Sequence, residues 1–208
     1  MHANTGSLLS VLTGSSRVNR ASHLAVALML LSGSAGADVW HVRGDAGGGG
    51  DGASWASAFN DLQDALDVAV AGDEVWVTGG TYRPDRGSGD RTMSFQLREG
   101  VGVYGGFAGT EDSRRQRAQE PAFASILTGD LAGNDVVNSD GGCGSIRLNF
   151  GENAFHVVTA QNVGATSVLD GFAVNGGNAT GSFPNDRGAG LLCTDASPTV
   201  VQVGFLIN

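Results

Sequence analysis

The sequence contains no lysine, only four prolines and only two cysteines among its 208 residues. Its twelve basic side chains are therefore all arginines, and with 21 acidic residues they leave a formal net charge of −9. A chain so acidic is repelled by nucleic acid and by anionic lipid, so we expect neither as a partner. Divalent cations are compatible with this charge.

No apolar run is long enough to cross a bilayer, which takes about 20 residues. The longest one, Leu24 to Leu31, follows Arg17 and Arg20 and precedes the small-residue triplet 35–37. This order predicts a signal peptide over residues 1–37, with a mature exported chain of net charge −11 that carries 21 acids against 10 arginines. The alternative is a buried helix of a cytosolic protein.

Familiar catalytic motifs are also missing. The chain has no Gly-x-Ser-x-Gly, no P-loop and no Cys-x-x-Cys. Asp186-Arg187 is the most suggestive polar pair for lyase chemistry, but a local surface ion pair or a turn is its ordinary explanation. The 21 acidic residues allow many possible pairs of catalytic carboxylates, and the sequence gives no reason to choose one pair. The sequence therefore favours no catalytic residue.

Glycine, in contrast, is abundant, with 34 residues beside a normal apolar share of 41%. There is no Gly-X-Y period, which excludes collagen. Many glycines within an apolar chain indicate tight turns between short buried strands.

A helix is predicted over residues 54–72, because Phe59, Leu62, Leu66 and Ala69 recur at three- and four-residue steps. A first strand and a glycine-rich loop, residues 38–53, precede it. Gly72 ends this segment as the C-terminal stop of the helix.

From residue 73 to 208 the pattern changes to short strands separated by turn residues. Residues 171–175, GFAVN, recur as 204–208, GFLIN, at an offset of 33. Such a recurrence predicts stacked coils in which Phe172 lies over Phe205 and Asn175 over Asn208. The predicted fold class is all-β, a right-handed parallel β-helix (solenoid) with an N-terminal capping α-helix. A β-sandwich is the competing all-β interpretation.

Six stretches between residues 39 and 208 carry a resemblance to known proteins: SWASAFNDLQDALDVAVAGDEVWVTGGTYRPD, VYGGFAGTEDSRRQR, ILTGDL, FHVVTA, VLDGFAVNGGNA and RGAGLLCTDASPTV. They resemble the N-terminal part of secreted bacterial right-handed parallel β-helix repeat proteins, in the pectin-lyase-like group, often labelled polymorphic outer-membrane-like. The resemblance implies a secreted, cell-surface or outer-membrane location and a scaffold or adhesion module without catalytic activity. Because the last strand stops at Asn208, we expect a truncated chain.

The alternative function is a carbohydrate-active enzyme, a polysaccharide lyase or hydrolase, or a polysaccharide-binding module on the same fold. Enzymes of the group cleave polysaccharides, yet their motifs match no stretch here, so no catalytic residue is carried over. A polysaccharide or another surface ligand is the expected partner in either case.

The richest polar stretch is TGDLAGNDVVNSDGG, residues 128–142. It predicts a calcium site with Asp130, Asn134, Asp135 and Asp140 as ligands, because calcium takes oxygen ligands from flexible loops. The spacing does not match an EF-hand, and a loop of solvated turn residues is the alternative. No other cofactor is expected.

The remaining reactive side chains have ordinary explanations. Export permits a disulfide between Cys143 and Cys193, whereas the alternative leaves Cys193 facing the core. His156 is expected to point outward from a strand. The three tryptophans, among them Trp76, are expected to pack in the core rather than stack on sugars.

Overall fold

Short β-strands dominate the part of the chain that the computed structural model describes, residues 36–117, 124–138, 146–206 and 208. These residues all lie in the contact unit Ser34–Asn208. The strands are β1 (Val39–Val42), β2 (Glu74–Thr78), β3 (Gly80–Tyr82), β4 (Phe95–Leu97), β5 (Gly102–Phe107), β6 (Ser125–Thr128), β7 (Val136–Asn138), β8 (Ile146–Leu148), β9 (Val158–Gln161), β10 (Val168–Asp170), β11 (Phe172–Asn175), β12 (Leu191–Thr194), β13 (Thr199–Val201) and β14 (Gly204–Leu206). The α-helix α1 is Leu62–Val68, and single 3₁₀ turns lie at Trp55–Ser57, Arg114–Gln116 and Phe150–Glu152.

Three parallel sheets contain all these strands except two. A five-stranded sheet has the order β1-β2-β5-β10-β13, a four-stranded sheet β14-β11-β6-β3, and a three-stranded sheet β12-β9-β4. From β2 onward the chain passes from the five-stranded to the four-stranded to the three-stranded sheet and then returns to the first. Neighbouring strands of one sheet therefore belong to successive passes of the chain, as parallel pairing requires. β7 and β8 form a separate antiparallel pair.

The interior consists of side chains at matched positions in paired strands. Val75, Val103 and Leu169 lie opposite one another in β2, β5 and β10 and are no more than 1% exposed. Leu127 in β6 and Val174 in β11 also lie opposite each other, and both are fully buried. Strands of three to six residues are not stable alone, but each of these five strands pairs with a neighbouring strand on both sides.

Sharp bends between the sheets depend on glycine at particular positions. Gly171 joins β10 to β11 with φ 83°, a conformation that other L-residues rarely adopt. A Cβ there would approach the backbone oxygen of Gly105 to 3.0 Å. The chain can therefore leave one sheet and enter the next within a single residue.

The predicted fold class, an all-β right-handed parallel β-helix with an N-terminal capping α-helix, is wrong. The described residues combine several parallel sheets with helical segments, 10% helix and 32% strand, in an α/β-like arrangement. The interval between paired strands also varies, from 28 residues for Glu74 and Gly102 to 66 for Gly102 and Val168. A solenoid of equal coils would keep a nearly constant interval.

The predicted 33-residue repeat is wrong in register. Val174, not Phe172, lies opposite Phe205, because β11 and β14 pair at an offset of 31. Phe172 is 3% exposed and Phe205 is 46% exposed, so the two rings do not share an environment. Asn208 forms no ladder with Asn175 in this register; its Nδ2 donates to the carbonyl oxygen of Val174 at 3.0 Å.

The predicted helix over 54–72 is too long. Phe59 is extended instead, since its N–H donates to the carbonyl of His41 and its carbonyl accepts from the N–H of Arg43. Only Leu62–Val68 is helical, and Asp61 caps it by accepting from the N–H of Gln63 at 2.8 Å. The apolar stripe itself is confirmed, because Leu62, Leu66 and Ala69 are each no more than 3% exposed.

The predicted signal peptide, residues 1–37, lies almost entirely outside the described residues. Within the described part of the chain, no helix combines the length and apolar character that a membrane crossing requires.

Candidate metal centre

Three carboxylates converge where the chain leaves the four-stranded sheet after β6. One oxygen each from Asp130, Asp135 and Glu152 lies within 4.8 Å of the others. The antiparallel pair brings them together: Asp135 directly precedes β7, and Glu152 follows β8 by four residues, in the 3₁₀ turn. We call these three residues and Asn153 the acidic corner.

Asp130 organises the loop that leads to the hairpin. Its Oδ1 accepts from the N–H of Asn134 at 3.0 Å, and its Oδ2 accepts from the N–H of Asp135 at 3.1 Å. The Asp130 N–H in turn donates to Oγ1 of Thr128 at 3.2 Å. The loop therefore holds the Asp130 carboxylate in place beside the Asp135 backbone.

Asn153 supplies a fully buried amide at the centre of the acidic corner. The residue is 0% exposed, and its Nδ2 donates to Oδ2 of Asp135 and to the carbonyl oxygen of Gly176, both at 2.7 Å. Because both partners are acceptors, they fix which end of the amide is the nitrogen. Asn153 therefore ties the hairpin to the end of β11.

Three oxygens of the acidic corner are buried without a hydrogen-bond donor among the described residues. They are Oδ1 of Asp135, Oε1 of Glu152 and Oδ1 of Asn153. Buried polar atoms are nearly always paired, so three unpaired acceptors in one cluster call for an explanation. A cation satisfies several oxygen ligands at once, which no single N–H donor can do.

The charges around Asp135 also favour a bound cation. Burial and the charges of Asp130 and Glu152 raise the pKa of Asp135 above its ordinary value, although the Asn153 hydrogen bond acts in the opposite direction. No ion pair in the described part of the chain involves these carboxylates. Arg83 approaches, but its Nε donates to the backbone oxygen of Asp130 at 2.7 Å. A bound cation would offset the repulsion.

A pocket of about 290 Å³ opens beside the acidic corner. Its lining includes Asp130, Asp135 and Arg83, together with polar and apolar residues of the four-stranded sheet. Those sheet residues include Thr81, Thr128 and Asn175. The pocket gives an ion and its water ligands access to Asp130 and Asp135.

The predicted calcium ligands are only partly brought together. Asp130 and Asp135 belong to the acidic corner, whereas Asn134 is exposed and contributes a backbone N–H to Asp130. Asp140 lies outside the described residues. Sequence reasoning missed Glu152 and Asn153, because only the antiparallel pairing of β7 with β8 carries them back to the loop.

Other residues singled out in the sequence have structural surroundings. Asp186 and Arg187 form an exposed ion pair at 2.9 Å, which is the ordinary interpretation of that dipeptide. His156 is only 5% exposed, so the expectation that it points outward is wrong. Its ring nitrogens lie 3.1 Å from the Gly188 carbonyl and from Oδ1 of Asn185. Trp76 is 6% exposed and stacks on Phe107, as expected for core packing.

Of the two cysteines, only Cys193 lies among the described residues. Cys193 is a free, exposed thiol on β12, so the expectation that it faces the core is wrong. Cys143, its predicted disulfide partner, lies outside the described residues.

Comparison of the chain with protein-family models, with curated proteins and with solved structures found no match. The resemblance to secreted repeat proteins therefore stays a prediction. The functional argument rests on the residues of the acidic corner.

Proposed function

We propose that this chain is a non-catalytic structural or adhesion module of an exported, bacterial surface or secreted protein, stabilised by a calcium ion bound at the acidic corner. The unpaired buried oxygens of Asp135, Glu152 and Asn153 carry the proposal. They supply the hard oxygen ligands that calcium takes, and Asp130 adds a third carboxylate.

Calcium suits this donor set better than magnesium does. The acidic corner mixes carboxylates from a loop and a 3₁₀ turn with one amide oxygen, which is an irregular set. Calcium accepts six to eight oxygens in flexible geometry, whereas magnesium demands a near-ideal octahedron. The predicted export places the chain where calcium sites with dissociation constants of about 10⁻⁴ to 10⁻³ M are useful.

The structural role follows from what the acidic corner connects. Asp130 follows β6, Asp135 and Glu152 flank the β7–β8 hairpin, and Asn153 donates to the carbonyl that follows β11. One ion there would join the hairpin to two strands of the four-stranded sheet. A polysaccharide or another surface ligand remains the proposed partner of the module.

Calcium should therefore raise the thermal stability of the chelator-treated protein. At a hundredfold excess over the dissociation constant, a ligand stabilises the folded state by about 2.7 kcal/mol. Glu152→Gln should abolish most of this gain without lowering the stability of the calcium-free protein, because it removes one of three mutually repelling carboxylates. Differential scanning calorimetry with calcium, magnesium and chelator measures the effect.

Asp112→Asn is the matched control, since Asp112 is exposed and lies outside the acidic corner. It should respond to calcium as the parent does. An equal response of the Glu152→Gln variant, or no response of the parent to calcium, contradicts the site.

The non-catalytic part of the proposal has a separate test. The purified chain is incubated with acidic and neutral polysaccharides with calcium present, and the products are followed by ultraviolet absorbance and by reducing ends. No turnover is expected. Clear turnover would replace this proposal with the alternative, a carbohydrate-active enzyme.

A further inference from the structure

Two cavities adjoin at Thr81, an exposed residue of β3. One is the pocket of about 290 Å³ beside the acidic corner. The other has a volume of about 430 Å³, and its lining includes Arg43, Gly80 and Thr81. Because the two cavities share Thr81, we call them together the β3 groove. Pockets for drug-sized ligands have volumes of about 300–1,000 Å³, so each of these cavities has the size for one small unit of a longer ligand.

Three polar side chains of the β3 groove have hydrogen-bonding groups without a partner in the described part of the chain. The hydroxyl of Thr81 and the side-chain amide of Asn175 form no hydrogen bond there, and both line the smaller cavity. Arg83 donates through Nε to the backbone oxygen of Asp130, but its terminal nitrogens meet no acceptor and it forms no ion pair there. The groove therefore offers a hydroxyl, an amide and a guanidinium group to a ligand.

Apolar side chains line the same cavity as these polar groups. They are Ile126, Val137 and Phe150. Val137 is 39% exposed, and the ring of Phe150 is half-buried. A sugar ring presents C–H groups on its faces and hydroxyls around its edge, so it is matched by apolar surface combined with a few hydrogen-bonding groups.

The charges of the β3 groove favour a neutral ligand. Arg43 and Asp45 neutralise each other through two contacts, Nε to Oδ1 at 3.1 Å and Nη2 to Oδ2 at 3.2 Å. At the other end, the calcium ion proposed above and Arg83 together balance the three carboxylates of the acidic corner. Without the ion this end is net negative, and the whole chain carries −9. An anionic polysaccharide is repelled in either case.

An extended peptide fits the β3 groove less well than a sugar chain does. Peptides add to an open strand edge by backbone pairing, and β3 is an edge strand of the four-stranded sheet. However, β3 is only three residues long. The N–H groups of Gly79 and Gly80 already donate to backbone oxygens of the protein. Few backbone groups are left to pair with a second chain, whereas the free side-chain groups suit hydroxyls.

We propose that the β3 groove binds a neutral polysaccharide, with adjacent sugar units in the two cavities and Thr81 at their junction. This inference rests on the proposed function, a surface module with a polysaccharide partner, and it names the binding site and the class of sugar. Arg83 and Asn175 donate to hydroxyls of the sugar, and Phe150 packs against a C–H face.

The test is calorimetric titration of the chain without its predicted signal peptide, in the presence of calcium, with neutral hexasaccharides of glucan, mannan, galactan and xylan. At least one should bind, and its monosaccharide should bind more weakly because it fills one cavity only. Thr81→Trp should raise the dissociation constant more than about tenfold, because the larger side chain obstructs the junction. Asn175→Ala should raise it about threefold to tenfold, since one hydrogen bond is lost.

Gln161→Trp is the matched control, because Gln161 is an exposed strand residue of β9 that lines neither cavity. It should bind the sugar as the parent does. Circular dichroism checks that each variant is folded, and Asn175→Ala carries the test alone if Thr81→Trp unfolds.

Three results overturn the proposal: no neutral hexasaccharide binds, a galacturonate hexasaccharide or an extended alanine–threonine peptide binds in its place, or the groove variants bind as tightly as the parent. Calcium binding is measured separately by the stability experiment above. A chain that gains stability from calcium but binds no sugar loses this inference and keeps the calcium-stabilised module. A chain that binds the sugar without responding to calcium loses only the calcium site.

Discussion

Glu111 shows how one side chain can hold a loop in a glycine-rich chain. It is 7% exposed, and its carboxylate accepts from the backbone N–H groups of Ala108, Gly109 and Thr110. Burial raises the pKa of Glu111, but these hydrogen bonds outweigh it and leave the pKa below its ordinary value. The ionised form is thus the one that the fold stabilises.

We predict that Glu111→Gln lowers the free energy of unfolding at pH 7 by about 1–3 kcal/mol, because charge-assisted hydrogen bonds to three N–H groups are weakened or lost. A depressed pKa contributes stability above the unfolded value, about 4.3, and this stability is lost as the pH falls through the folded value. Urea unfolding at pH 7 and at acid pH should show a smaller acid loss in the variant. An identical loss in both proteins contradicts the assignment.

For Asp135, the dependence of folding stability on pH has the opposite sign from that for Glu111. Its pKa is raised by burial and by Asp130 and Glu152, so its ionised form opposes folding of the calcium-free chain above the folded pKa. Protonation or a cation relieves this opposition. We therefore expect apparent calcium affinity to fall as the pH drops through the Asp135 pKa, which calorimetric titration of calcium at several pH values would measure. A pH-independent affinity contradicts the role of Asp135 as a ligand.

Among the elements, α1 illustrates which features the sequence can predict. Its apolar stripe was readable because burial imposes a three-to-four-residue period whatever the exact ends of the helix. Its start was not, because Phe59 belongs to a backbone pairing with β1, a contact between residues far apart in the sequence. Local propensity cannot report such a contact.

We predict that Asp61→Ala lowers the free energy of unfolding by about 1 kcal/mol, since the N-cap acceptor for the Gln63 N–H is lost. Asp61→Asn keeps an acceptor oxygen at the same position and should cost much less. Chemical denaturation of both variants measures the difference. Equal destabilisation by both would assign the effect to charge, through Arg86 at 4.0 Å, rather than to capping.

At the acidic corner, too, local sequence patterns predicted only the residues that lie close together in the chain. Asp130 and Asp135 stand close together in an acid-rich loop, so their sequence spacing was informative. Glu152 and Asn153 enter only through the pairing of Val136 with Leu148, which no local pattern reveals. The register of β14 failed for a related reason: the repeated Gly-Phe pair suggested an offset of 33, whereas strand pairing uses 31.

Across the assembled sheets, stability should depend on how many neighbours a strand has. Val103 and Val200 lie at matched positions in β5 and β13, since both are in register with Leu169. Val103 is 1% exposed and Val200 is 38% exposed. The same substitution therefore removes the same atoms from two different environments.

Val103→Ala should lower the free energy of unfolding by about 2 kcal/mol, because two buried methyl-sized groups are worth about 0.8 kcal/mol each and a cavity remains. Val200→Ala should cost less than about 1 kcal/mol, because Val200 is 38% exposed and its truncation leaves no closed cavity. Denaturant unfolding of both variants measures the difference between their costs. Equal costs for the two variants would contradict the position of β13 at the edge of the five-stranded sheet.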